Sequence, residues 1–166
     1  MSWIISSPLN GQTQNTLDPI SEEQYEVLKA FFSNQKANRI KLHYKTIGDP
    51  SWIDFLLEEK WEKGVQLCSF KDEMLPASIE QLPELSSQLS QKFLDKRMLG
   101  AKIKLTKKLD KETVQFISEP IIIQDYAFLL TREYESHAVQ IYHYDPARGW
   151  KYECSAYSYY VISCYG

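Results

Sequence analysis

The chain has 166 residues, 43% of them hydrophobic and 25% charged, which suits one domain with a real core and excludes a fibrous or disordered polymer. Net charge is −3, split between residues 1–95 (9 Lys/Arg against 14 Asp/Glu) and residues 96–166 (10 against 8), so neither half is extreme enough to imply nucleic acid or an acidic membrane. No run approaches the roughly eighteen apolar residues of a membrane helix. The opening Met1 to Ser6 also lacks the basic start of a secretory signal. Cys68, Cys154 and Cys164 are odd in number and lack metal spacing, so they read as reduced thiols of a cytoplasmic protein.

Residues 1–20 are polar and turn-rich, with Pro8, Asn10-Gly11 and Asp18-Pro19, and are expected to form an irregular arm. A single α+β domain then spans 21–166, helical over 21–99 and sheet over 101–164. Ser21 and Gln24 have the spacing of a capping box, with Ile20 and Tyr25 at the two staple positions. Tyr25, Leu28, Phe31 and Phe32 make an apolar stripe, and the helix is expected to fray near Ser33-Asn34. Arg39 to Thr46 alternates as a strand, with Ile40, Leu42 and Tyr44 on one face and Lys41, His43 and Lys45 on the other. Ser51 and Asp54 cap a second helix running to about Lys63, and Glu84 to Lys96 offers a third, ended by Gly100.

From Ala101 the period changes to two, through Ile103 and Leu105, then Val114 to Phe116. Pro120 marks an edge, a bulge or a strand start, and Ile121 to Leu130 reads as a hairpin turning near Gln124-Asp125 or as one bent strand. The clearest hairpin joins Val139–Tyr144 to Trp150–Cys154 through Asp145-Pro146-Ala147-Arg148-Gly149, a type I turn closed by a left-handed glycine. Pairing Tyr144 with Trp150 places Tyr142 opposite Tyr152 and Gln140 opposite Cys154 on one aromatic face. The other face, with His143 opposite Lys151 and Ile141 opposite Glu153, reads as half solvated. Tyr142, Tyr144, Trp150 and Tyr152 are thus either core or a binding platform.

No catalytic signature is present. G-x-S-x-G, H-E-x-x-H, C-x-x-C, the P-loop and G-x-G-x-x-G are all missing from the sequence, and no cofactor is implied. His137 and His143 share a strand face but stand about 20 Å apart, too far to hold one metal, so no metal site is expected. His143 beside Glu153 has the composition of an oriented base, but a surface histidine is the default. Lys96, Arg97, Lys102, Lys104, Lys107, Lys108 and Lys111 form a basic strip. Along the chain no aromatic residue interleaves with these lysines, so Lys102 and Lys104 read as edge-strand protection or an acidic partner's contact, and nucleic acid is disfavoured.

Ser118-Glu119-Pro120, Tyr126-Ala127-Phe128-Leu129 and Gly149-Trp150-Lys151 resemble a pattern of small uncharacterised bacterial proteins with a C-terminal antiparallel sheet. Tyr134-Glu135-Ser136 replaces the Cys-Gly-rich connection often seen in that pattern. The resemblance implies packing positions and carries no site residues. The expected architecture is α+β, with N-terminal helices on one face of a curved antiparallel sheet, similar by analogy to cystatin-like or NTF2-like domains. The expected function is non-enzymatic binding of a protein partner, such as a toxin neutralised by an immunity-type protein, without a membrane. The alternative is a small molecule or substrate held against the aromatic face.

Overall fold

The computed structural model describes residues 19–49, 80–82, 84–85, 87–109, 114–133 and 136–159, with backbone only at 133, 136 and 156–159. The arm before residue 19 and the helix expected from Ser51 to about Lys63 lie outside the described residues. The elements are α1 (Glu22–Asn34), β1 (Ile40–His43), α2 (Lys96–Leu99), β2 (Ile103–Thr106), β3 (Phe116–Ile117), β4 (Ile121–Ile123), β5 (Tyr126–Glu133), β6 (Ser136–Asp145) and β7 (Gly149–Tyr159).

Helix α1 begins where its capping box requires. Ser21 Oγ accepts the Gln24 N–H at 3.2 Å, and Gln24 Oε1 accepts the Ser21 N–H at 2.9 Å. Such a cap contributes about 1 kcal/mol. Ile20 and Tyr25 are both buried, as a staple demands, and Val27, Leu28, Phe31 and Phe32 complete the covered stripe. Each large side chain so covered contributes roughly 1.5–3 kcal/mol.

The third expected helix does not form. Between residues 84 and 99 only Glu84–Leu85 and Lys96–Leu99 are helical among the described residues. Instead the stretch around Lys92 lies antiparallel to the chain leaving β1. Thr46 N–H donates to Lys92 O at 2.9 Å, and Leu94 N–H donates to Tyr44 O at 3.0 Å. Serines explain part of the difference, since Ser87 Oγ bonds Glu84 O at 2.6 Å and competes with helical backbone pairing. The rest is tertiary, because the free edge after β1 offers the backbone new partners. A Cβ on Gly48 would stand 2.6 Å from Gln91 N, so only glycine permits this approach.

The sheet is mostly antiparallel, giving an α+β fold. Strands β4 and β5 form a hairpin, Gln124 taking a positive φ of 52°, and β5, β6 and β7 follow as neighbours. One corner departs from the antiparallel expectation. β1 pairs parallel to β2, Ile40 opposite Ile103, and bridges from Leu42 to Gln115 and from Ile47 to Ser118 tie it parallel to β3. About sixty residues separate β1 from β2, ample for the crossover that parallel pairing needs.

The sheet is buried on both faces. Ala127, Leu129, Tyr142 and Trp150 face α1 with Phe31, Phe32 and Leu28. Phe128, Leu130, Val139 and Ile141 face the other way and are covered by Leu82, with Leu85 and Leu89 packed against them. Toward the hairpin turn that second face is half solvated as expected, with His143 and Lys151 partly exposed and Glu153 exposed, while along β5 and β6 it becomes a second core that buries Ile141.

At the junction of α1, the Lys92 stretch and the β3–β4 connection sits a buried ion pair. Lys92 Nζ lies 2.5 Å from Glu119 Oε2, and Gln24 Nε2 donates to Pro120 O at 2.7 Å.

Candidate functional site

The β6–β7 hairpin has the turn its sequence requires. Asp145 Oδ1 accepts the Ala147 N–H at 2.8 Å, Lys151 Nζ reaches Asp145 Oδ2 at 2.7 Å, and Gly149 has a φ of 75°. The Lys151 contact, helped by the Ala147 N–H, holds the Asp145 carboxyl below its ordinary range. Tyr144 pairs with Trp150 and Tyr142 with Tyr152, as expected, with edge-to-face rings at 5.3 and 5.9 Å.

Beyond that point the register slips. A bulge between Ile141 and Tyr142 leaves Glu153 unpaired in the ladder, so Ile141 lies opposite Cys154 and Gln140 opposite Ser155. The expected Ile141–Glu153 and Gln140–Cys154 pairs are corrected by one residue. The physical reason is that a bulge inserts one residue into β7 alone and resets its alternation. The bulge has a consequence for chemistry. Tyr152 and Ser155, three apart, now share a face, and Tyr152 OH lies 2.7 Å from Ser155 Oγ. Ser155 Oγ in turn donates to Gln140 Oε1, whose Nε2 reaches Thr131 Oγ1 at 3.5 Å.

The four aromatic candidates divide into two kinds. Tyr142 is 1% exposed and Trp150 9%, both packed beneath α1 as core. Tyr144 at 39% and Tyr152 at 47% stand open at the rim. Burial pushes the Tyr142 phenol well above its ordinary range, an effect that the nearby Asn34 side chain only partly offsets. Two open depressions flank Trp150 where α1 crosses the hairpin. One of about 580 Å³ is lined by Asn34, Gln35, Gln140, Tyr142, Tyr152 and Ser155. The other, about 620 Å³, is lined by Glu23, Glu26, Lys29, Tyr144, Arg148 and Trp150. Sequence reading missed Asn34, Gln35 and Ser155; no local signal places the end of α1 against β7.

The two lysine candidates separate. Lys102 Nζ donates to Gln35 O at 3.1 Å, satisfying a carbonyl just past the end of α1. Lys104 stays exposed, directly opposite Lys41. His43, stacked on Phe116 at 5.0 Å, sits in a third depression of about 440 Å³ with Lys45 and Arg132. His143 Nδ1 is 3.9 Å from Glu153 Oε1 in an exposed pair, and His143 packs on the Tyr126 ring at 4.9 Å. No cluster of three or more His, Cys, Asp or Glu with metal-holding geometry occurs among the described residues.

Cys154 is disulfide-bonded, which corrects the expectation of reduced thiols; the other two cysteines lie outside the described residues. Sequence spacing does not reveal the Cα separations on which a disulfide depends. No described helix is long and apolar enough to cross a membrane. Comparison with known proteins finds no matching family model, no similar curated protein and no similar solved structure.

Proposed function

We propose that the protein is a non-enzymatic binding protein whose partner docks where α1 crosses the β6–β7 hairpin. The observation that carries this reading is the rim of Tyr144 and Tyr152, open rings mounted on a rigid hairpin beside the buried Trp150. Rigid aromatic anchors of this kind dominate protein interfaces. The adjoining depression mixes Glu23 and Glu26 with Lys29 and Arg148, Glu26 being paired with Lys29 at 2.6 Å, so it offers a partner both signs of charge. In its most specific form the partner is a toxin and this chain an immunity-type protein; the bacterial setting comes from the resemblance of the C-terminal third. A cytoplasmic site of action belongs to that form, and the Cys154 disulfide weighs against it, because reducing compartments disfavour such bonds.

A second reading is favoured by one observation. Gln140, Ser155 and the Tyr152 hydroxyl converge on a depression of about 580 Å³, a size that holds a small polar ligand.

Affinity purification of the tagged chain from its native host tests the first reading. A stoichiometric protein partner is expected, with Tyr144→Ala plus Tyr152→Ala weakening it by at least about tenfold. Equal retention by the variant, or no stoichiometric partner, removes the reading.

A further inference from the structure

The fold sorts charge in space. Residues 39–49 and 91–109 hold ten Lys/Arg against two Asp/Glu, while the rest of the chain holds nine against twenty. These two stretches contain β1 and β2 and pair with each other. Edge protection accounts for Lys104, because β2 ends the described sheet. It does not account for Lys41, which sits on β1 between β2 and Gln115 and faces Lys104 directly across the ladder. Like charges so opposed cost stability, and both are exposed.

Aromatic rings enter this basic surface through tertiary pairing. Lys45 lies opposite Phe93, and the Tyr44 and Phe93 rings are 5.7 Å apart. Lys45 Nζ is 4.9 Å from the Phe93 ring and 5.4 Å from Tyr44, with Lys107 Nζ 5.7 Å from Tyr44. Phe93 is 64% exposed. In the depression of about 440 Å³ that Lys45 also lines, the Arg132 guanidinium lies 4.7 Å from the buried Phe116 ring, which stacks on His43. Rings and cations that are far apart along the chain thus meet at the exit of β1, with Lys45 common to the Phe93 contact and to that depression.

We propose that this surface, at the exit of β1, binds single-stranded nucleic acid. Lys45, Lys107 and Arg132 meet successive phosphates, and the open Phe93 ring stacks a base. Ammonium groups attract any anion, but an open ring set among cations suits a polymer whose every unit carries both a phosphate and a flat π-face. An acidic peptide uses the charges and leaves the ring idle. The surface is separate from the docking site proposed at α1 and the hairpin and stands without it.

The test is fluorescence anisotropy of the full chain with labelled single-stranded RNA and DNA of about twelve nucleotides, between about 50 and 300 mM KCl. The single strands are expected to bind more tightly than a duplex of the same sequence. Three phosphate contacts predict a slope near −2 in log affinity against log salt, and Lys45→Ala plus Lys107→Ala is expected to remove about 1.4 of it. Phe93→Ala is expected to weaken binding about tenfold with the slope unchanged, and Phe93→Tyr to restore it. The RNA and DNA arms separate the two sources of the same chemistry, and binding of either supports the proposal. No binding at about 50 mM salt, equal affinity for duplex, or indifference to Phe93→Ala overturns it. Polyglutamate matching the single strands in affinity overturns it in favour of an acidic peptide.

Discussion

Where α1 crosses the hairpin, the innermost rings of Tyr142 and Trp150 are covered by the helix, and their neighbours are amides, hydroxyls and charges of both signs, Glu23 and Glu26 with Lys29 and Arg148. At the exit of β1 the Phe93 ring stays open, and its neighbours are Lys45 and Lys107. Both regions combine aromatic rings with polar groups and each has buried rings, but only the second leaves a ring as open as Phe93 beside its cations. Aromatic content therefore does not distinguish a core from a surface; the cover above each ring does.

The sharpest way to break this contrast is to shorten a covered ring and an open one. Trp150→Ala is expected to lose about 3–5 kcal/mol of stability. Tyr144→Ala and Tyr152→Ala should each lose under about 1 kcal/mol. Urea unfolding measures all three, and equal losses would mean that the rim rings are core after all.

The next effect concerns the joint between the regions. Glu119→Ala leaves the largely covered Lys92 charge without its partner, and is expected to cost about 3 kcal/mol. Lys92→Met with Glu119→Leu should recover most of that loss, since an apolar pair carries no desolvation cost. A double variant as weak as the single one would show that hydrogen bonding by the pair, beyond its charge, holds the joint.

The smallest effect is on the basic side. Burial, with the Arg132 charge opposite it in the ladder, lowers the His137 pKa below 6.5. The unfolded chain then binds the proton more readily than the folded one. This contribution to stability is present above about pH 6.5 and is lost as pH falls toward the folded value. The urea midpoint should drop between about pH 7 and pH 5, and His137→Gln should flatten that drop. An unchanged slope in the variant would assign the pH dependence to other groups.

Much of the local structure was legible in the residues. The Ser21–Gln24 box marks the start of α1, Gly149 closes the hairpin, and the Tyr144–Trp150 and Tyr142–Tyr152 pairs follow from alternation. These features depend on residues within a few positions of each other, where capping and turn chemistry act. Tertiary structure decided the rest. The Glu84–Lys96 pattern is helical in period, yet its backbone pairs with Thr46 and Tyr44. The bulge at Glu153 turns Ser155 into the groove, and the Lys45–Phe93 bridge mixes rings with cations. Each of these is a competition between local preference and a partner distant in the chain, and spacing along the sequence does not encode which partner will be near.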